Sequence, residues 1–344
     1  METFLGIELS TWWFAIVGAV FTGYSILDGF DLGAGAIHLL FKKEESRRIA
    51  LNAIGPVWGG NEVWLVIGGG ALFAGFPDVY ATIFSSFYIP FMLFLVLLIL
   101  RAISIEFRSK EPMLWWRKLW DIQYSVSSSL IGFLLGVVLG NLIIGLPINE
   151  HFEYTGTFLQ LLNPYALLTG ATTLSLFAMH GSIYLVMKTE KRLYTKLSLM
   201  VQDTSRVFVV FYMLLTIVTL VYYPHMANTI KRYPFLIAVP VVTVFNTINT
   251  RRLLESGKYL VGFFSSALTV ALLLITFAMN LYPNIVRSTI NPLYSLTVHN
   301  AASSPRSLTI MLIIAAIGVP IIALYTGYVF WTFKGKVKLE ENSY

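Results

Sequence analysis

Runs of apolar residues, separated by short polar stretches, fill the chain from end to end. A helix needs about 20 apolar residues to cross the hydrocarbon layer of a membrane. Nine segments reach or approach that length: 12–40, 62–76, 79–100, 124–147, 162–187, 206–223, 234–249, 258–281 and 308–333. The second is short and holds Gly68-Gly69-Gly70, and the seventh is short and holds Pro240. Phe76-Pro77-Asp78 predicts a tight turn into the third segment. The pattern predicts an all-α integral membrane protein of about nine transmembrane helices. The expected arrangement is two four-helix bundles plus one peripheral helix, in a single polytopic domain over 1–344. The longest outer stretch, 282–307, has 26 residues, too few for a soluble domain.

The cations test this count. With the N-terminus outside, the inner segments are 41–61, 101–123, 188–206, 250–258 and the C-terminal tail. They carry 4, 5, 5, 3 and 3 Lys plus Arg, which is 20 of the chain's 24. The other 4 fall in outer segments: Lys231 and Arg232 in 224–233, and Arg287 and Arg306 in 282–307. Cationic loops resist transfer across the membrane, so an alternating bias supports both the nine spans and a cytoplasmic C-terminus. The inner stretch Trp115-Trp116-Arg117-Lys118-Leu119-Trp120 mixes indoles with cations and is expected to lie as a loop in the headgroup layer.

Composition agrees with this reading. Of the 344 residues, 56% are hydrophobic and 12% charged, against about 25% charged in ordinary globular chains. The mean hydropathy is +0.72. Such a chain is solvated by lipid, and disorder, a coiled coil and a nucleic-acid-binding domain are excluded. The absence of cysteine excludes disulfides, thiolate nucleophiles and cysteine-ligated metals. The N-terminus lacks the basic region and cleavage site of a signal peptide, so the first span is expected to be retained.

Acids within spans are expensive and mark candidate sites. Asp28 and Asp31 lie three apart on one face of the first span, among glycines that allow close helix approach. They suit a proton or cation relay, and equally a pair held by hydrogen bonds from neighbouring helices. Asn61 and Glu62 open the second span between Trp58 and Trp64, after Gly55-Pro56. The helix dipole explains an acid there, and so does a carboxyl at the mouth of a proton path. Trp58 and Trp64 read as interface anchors or as packing against a cofactor. Of five histidines, only His38 and His180 fall in spans. They could ligate a haem or simply be hydrogen-bonded in the bundle. His151 and His225 read as loop residues, and His299 sits in a polar run before the last span. No nucleotide-binding or hydrolase motif is present.

The combination Asp28-Gly29-Phe30-Asp31-Leu32-Gly33 with Trp58-Gly59-Gly60-Asn61-Glu62-Val63-Trp64 resembles subunit II of the cytochrome bd-type quinol oxidases. Arg47-Arg48, Phe107-Arg108-Ser109-Lys110, Leu161-Leu162-Asn163-Pro164-Tyr165 and Asn300-Ala301-Ala302-Ser303-Ser304 extend the likeness over essentially the whole chain. The resemblance implies a bacterial cytoplasmic-membrane heterodimer with a haem-bearing subunit I. Haems b and d and the quinol-oxidising residues would belong to that partner, leaving no catalytic or metal-ligating residue in this chain. The complex would oxidise quinol, reduce O2 to water and take its protons from the cytoplasm. Membrane lipid, a small accessory subunit and, in some members, a structural quinone complete the expected partners. The family often has an acid where this chain has Gly59. Glu62, one turn later, would then serve as the proton-uptake carboxyl, passing protons toward Asp28 and Asp31. Trp58, Asn61 and Trp64 would be structural or cofactor-proximal. Two other readings compete: a secondary transporter with the acid pair as its coupling site, and a pure assembly subunit.

Overall fold

The computed structural model describes residues 3–223 and 234–339 and is built almost wholly of helices. The expected outer loop 224–233, with His225, Lys231 and Arg232, lies outside the described residues, as do 1–2 and 340–344. The helices are α1 (Leu9–Ala36), α2 (Glu44–Ile54), α3 (Trp58–Gly75), α4 (Pro77–Ser86), α5 (Tyr88–Phe107) and α6 (Leu114–Ile144). They continue with α7 (Pro164–Lys188), α8 (Lys191–Tyr222), α9 (Ala238–Glu255), α10 (Tyr259–Leu281) and α11 (Pro305–Thr332). Seven are long and apolar enough to cross a membrane: α1, α5, α6, α7, α8, α10 and α11. The expected nine would add α3 and α9, which have 18 residues each. These are the two that the hydropathy pattern already marks as short. Asn61 and Glu62 dilute the first, and Asn246, Asn249 and the Arg251-Arg252 pair dilute the second.

Three expectations are corrected. The third segment, 79–100, is not one helix. It breaks at Phe87, because Pro90 has no N–H to offer the Ser86 carbonyl and its ring crowds that oxygen. The segment Trp115–Trp120 is not a loop but the opening turns of α6, entered just after Pro112. The inner stretch 188–206 is mostly helical too. Only Thr189 and Glu190 separate α7 from α8, whose buried stripe Leu193, Leu197, Val201 and Phe208 runs through it at helical spacing.

The eight long helices from α1 to α10 other than α2 and α4 form two sets of four in tight mutual contact, with α11 at the edge against α1 and α3. In the first group, α1 packs on α3 and α6, and α6 on α5. In the second, α8 and α10 pack on α7, and α9 on α10. The groups join where α7 lies against both α1 and α6. Glycines make that junction possible. A Cβ on Gly33 would strike the Phe177 carbonyl, and one on Gly181 would strike the backbone of Gly33 and Ala34. Along α6, Gly136 and Gly140 touch Gly170 and Ala166 in the same way. Close backbone contact of this kind replaces the hydrophobic drive that lipid-solvated helices lack.

The two ends of the bundle are distinct. At one end the cation-rich segments meet: Lys196 donates to the Leu40 carbonyl at 2.5 Å, and Lys188 to the Phe333 carbonyl at 2.6 Å. At the other, two small antiparallel ladders, β1 (Thr3–Phe4) with β2 (Ile7–Glu8) and β3 (Asn284–Val286) with β4 (Leu296–Thr297), form a lid. Ser303 ties the lid to α3 through the Gly75 carbonyl, and His299 pairs with Glu8 at 3.0 Å. Asn300 accepts from the Thr297 N–H at 2.7 Å, so the polar run around His299 is a side-chain-capped turn.

Candidate functional site

Asp28 and Asp31 project from the C-terminal half of α1 and are completely buried. Between Asp28 and Glu62 lies Arg101, near the end of α5 and also completely buried. Its Nη2 donates to Asp28 Oδ1 at 2.7 Å and its Nη1 to Glu62 Oε1 at 2.6 Å. Asn61, beside Glu62 in the first turn of α3, donates its Nδ2 to Asp31 Oδ2 at 2.8 Å and to the Leu27 carbonyl at 3.2 Å. Asp28, Asp31, Asn61 and Glu62 thus form one cluster around an arginine. The Glu62 side chain is 23% exposed, and Asp28 and Arg101 are sealed.

The cluster is unbalanced. Three carboxyl groups face one guanidinium, and a buried charge without a partner is costly. Asp28 Oδ2 and Asp31 Oδ1 are buried without a protein partner. The arrangement is therefore suited to accept protons and water at defined atoms. The two tryptophans frame it. Trp58 packs on the apolar core that contains Phe30 and Ile54. The Trp64 ring covers Gly23 of α1, where a Cβ would come within 2.7 Å of it. A Cβ at Gly59 would meet nothing within 4 Å.

A second ionic network lies just beyond the C-terminal end of α1. Asp121 of α6 receives His38 Nε2 at 2.6 Å, Arg47 Nη1 at 2.9 Å and Arg108 Nε at 2.5 Å. Arg108 also reaches Glu44 at 2.9 Å, and Arg117 reaches the same carboxylate at 3.4 Å. Burial opposes the charge on Arg108, but the hydrogen bond and charge of Asp121, with Glu44 behind it, hold its guanidinium above the ordinary value.

Sequence reasoning missed Arg101, Arg108, Asp121 and Glu44. In the sequence both arginines read as loop charges. Their signal is the spacing of Phe94, Arg101 and Arg108, seven residues apart, which sets Arg101 on the face of α5 that carries a core phenylalanine and Arg108 at the cap that follows it.

The intramembrane histidines are engaged within the bundle. His180 uses both ring nitrogens, Nδ1 with Ser266 Oγ at 2.7 Å and Nε2 with the Ile26 carbonyl at 3.1 Å, and stacks on Phe263. His38 commits Nε2 to Asp121, and its other nitrogen is enclosed beside the Tyr124 ring. Among the described residues, no group of three or more His, Asp or Glu could hold a metal ion.

An apolar helical bundle enclosing buried ion pairs defines an integral membrane protein. Residues 9–333 match the family described as cytochrome bd terminal oxidase subunit II, and the chain belongs to that family. It is 32% identical to cytochrome bd-I ubiquinol oxidase subunit 2 of Escherichia coli K12, over 96% of this chain and 95% of that one. It is 34% identical to a probable cytochrome oxidase subunit 2 of Haemophilus influenzae, over 91% of each. It is 32% identical to cytochrome bd ubiquinol oxidase subunit 2 of Bacillus subtilis 168, over 96% and 97%. A chain in the solved bd oxidase of Geobacillus thermodenitrificans shares the fold, with a TM-score of 0.77 at 16% identity, over 94% of this chain and 98% of that one. Nothing in these relatives favours the transporter reading.

Proposed function

We propose that this chain is the non-haem subunit of a quinol:O2 oxidoreductase in the bacterial cytoplasmic membrane. Its N-terminus lies outside and its C-terminus inside. It forms one polytopic domain, assembled with a haem-bearing subunit I. The partner's haems b and d supply electron transfer and oxygen reduction. This chain supplies support and protons.

The observation that carries the proton role is the step in exposure along the cluster. Glu62 is partly exposed on this chain and touches Arg101, which touches the sealed Asp28. Asn61, from the same turn of α3, holds Asp31. Glu62 takes a proton at its carboxyl and releases it inward. Asp28 Oδ2 and Asp31 Oδ1, lacking protein partners, receive it through water. Arg101 keeps its charge throughout and fixes the geometry of the acids on either side.

The test is Glu62→Gln in the assembled oxidase, reconstituted in vesicles and driven by quinol. The amide keeps the shape and removes the proton site. Proton uptake and oxygen consumption are expected to fall by about tenfold or more. Unchanged rates with normal haem content would remove Glu62 from the path and leave the chain an assembly subunit.

A further inference from the structure

Three lysines at the cation-rich end of the bundle are held differently from the cations around them. Arg108 and Arg117 meet Glu44, and Arg251 meets Glu255. Lys188, Lys334 and Lys336 have no carboxylate partner among the described residues; backbone carbonyls and aromatic rings hold them instead. Lys188, the last residue of α7, donates its Nζ to the Phe333 carbonyl at 2.6 Å and stands 5.6 Å from the centroid of the Tyr184 ring. Lys336 Nζ lies 3.4 Å from the Val186 carbonyl oxygen and 5.8 Å from the centroid of Tyr194. Lys334 sits over Trp331, 5.1 Å from its centroid.

The fold brings these side chains together. After α11 the chain runs back against the junction of α7 and α8, where the Val337 N–H donates to the Lys188 carbonyl at 2.9 Å. That pairing sets Lys336 beside Lys188, near enough for its charge to act on Lys188. Like charges so placed repel, and an anion between them removes the cost. An ammonium has three N–H groups, and one carbonyl occupies only one of them. Lys188 is half-buried and the other two are exposed, so the remaining N–H groups are open to a ligand. Glu190, two residues after Lys188, is exposed and makes no capping bond.

Depth identifies the anion. Lys188 ends the apolar stretch of α7, and Lys334 and Lys336 follow that of α11. Tyrosine and tryptophan favour the level of the headgroups, and Tyr184, Tyr194 and Trp331 are the rings that these ammoniums cover. Residues 188–196 carry four lysines and arginines, and 334–338 carry three. Basic clusters at the ends of membrane spans attract anionic lipid.

We propose that Lys188, Lys334 and Lys336 bind the phosphate of an anionic phospholipid at the junction of α7, α8 and the segment after α11. The bound headgroup offsets the repulsion among the lysines and pins that last segment to the bundle. The site is separate from Glu62 and does not depend on the proton-delivery reading.

The test is titration of the assembled oxidase, purified in mild detergent and stripped of loose lipid, with phosphatidylglycerol. Native mass spectrometry counts the lipids bound to the wild type and to a Lys188→Gln/Lys336→Gln variant. The variant is expected to bind one phosphatidylglycerol about thirty-fold more weakly, and Lys188→Arg/Lys336→Arg to keep it. Phosphatidylcholine is expected to bind the wild type and the glutamine variant alike. Equal phosphatidylglycerol binding by those two overturns the proposal. Displacement of the lipid from the wild type by inorganic phosphate would make this a site for free anions and overturn the assignment to lipid. Should the double variant not assemble, Lys336→Gln decides, because its position is exposed. Binding about fivefold weaker supports the proposal, and unchanged binding overturns it.

Discussion

Arg101 shows how a residue can be plain in the sequence while its role is hidden. The acids Asp28, Asp31 and Glu62 and the amide Asn61 were legible because polar side chains in apolar runs have few explanations. Arg101 ends an apolar run and so reads as one more cation on the inner side. Only folding shows that it is fully buried and bonded to two carboxylates. That these helices meet depends on contacts far apart in sequence, which no local pattern encodes. Removing one partner of a buried ion pair costs about 3–5 kcal/mol, since the other charge is left stranded. Arg101→Met is therefore expected to lower the yield of assembled oxidase sharply, and Arg101→Lys to restore part of it. Haem content per milligram of purified complex measures both.

At the scale of helices, periodicity located the apolar segments but misplaced several ends. The break at Phe87 was signalled by Pro90, whose effect falls four residues upstream of itself. The helices α6 and α8 run beyond the apolar runs because amphipathic turns extend them, and hydropathy alone does not register such turns. The junction of α1 with α7 was half legible, since the glycines around Gly33 were visible but their counterpart Gly181 was not singled out. A methyl group at Gly33 would push against main chain, which cannot rotate away. Overpacking of this kind costs about 1–3 kcal/mol or more. Gly33→Ala is expected to lower the melting temperature of the detergent-solubilised complex, whereas Gly69→Ala, which meets nothing within 4 Å on this chain, is expected not to lower it, because alanine is the better helix former.

For the molecule as a whole, burial is lopsided. The most apolar window of α7 is 67% buried, but that of α11 is only 6% buried. The exposed face of α11 carries Leu324, Tyr328 and Trp331. Lipid can cover such a face, but a subunit of an oxidase has a protein to cover part of its surface. Expressed without the other subunits, the chain is expected to be degraded or to aggregate in mild detergent. Size-exclusion chromatography of the tagged chain, alone and co-expressed, makes the comparison. The location of Arg101 also bears on ion selectivity. A guanidinium keeps its positive charge at any physiological pH. A sodium ion moving inward past Glu62 would have to approach that fixed charge and shed its water as well. A proton would not, because it crosses by exchange of bonds between carboxyl groups and water. Turnover is accordingly expected to be indifferent to replacing cytoplasmic-side sodium with choline at constant pH, and a sodium-dependent rate would show that the arginine does not guard the way.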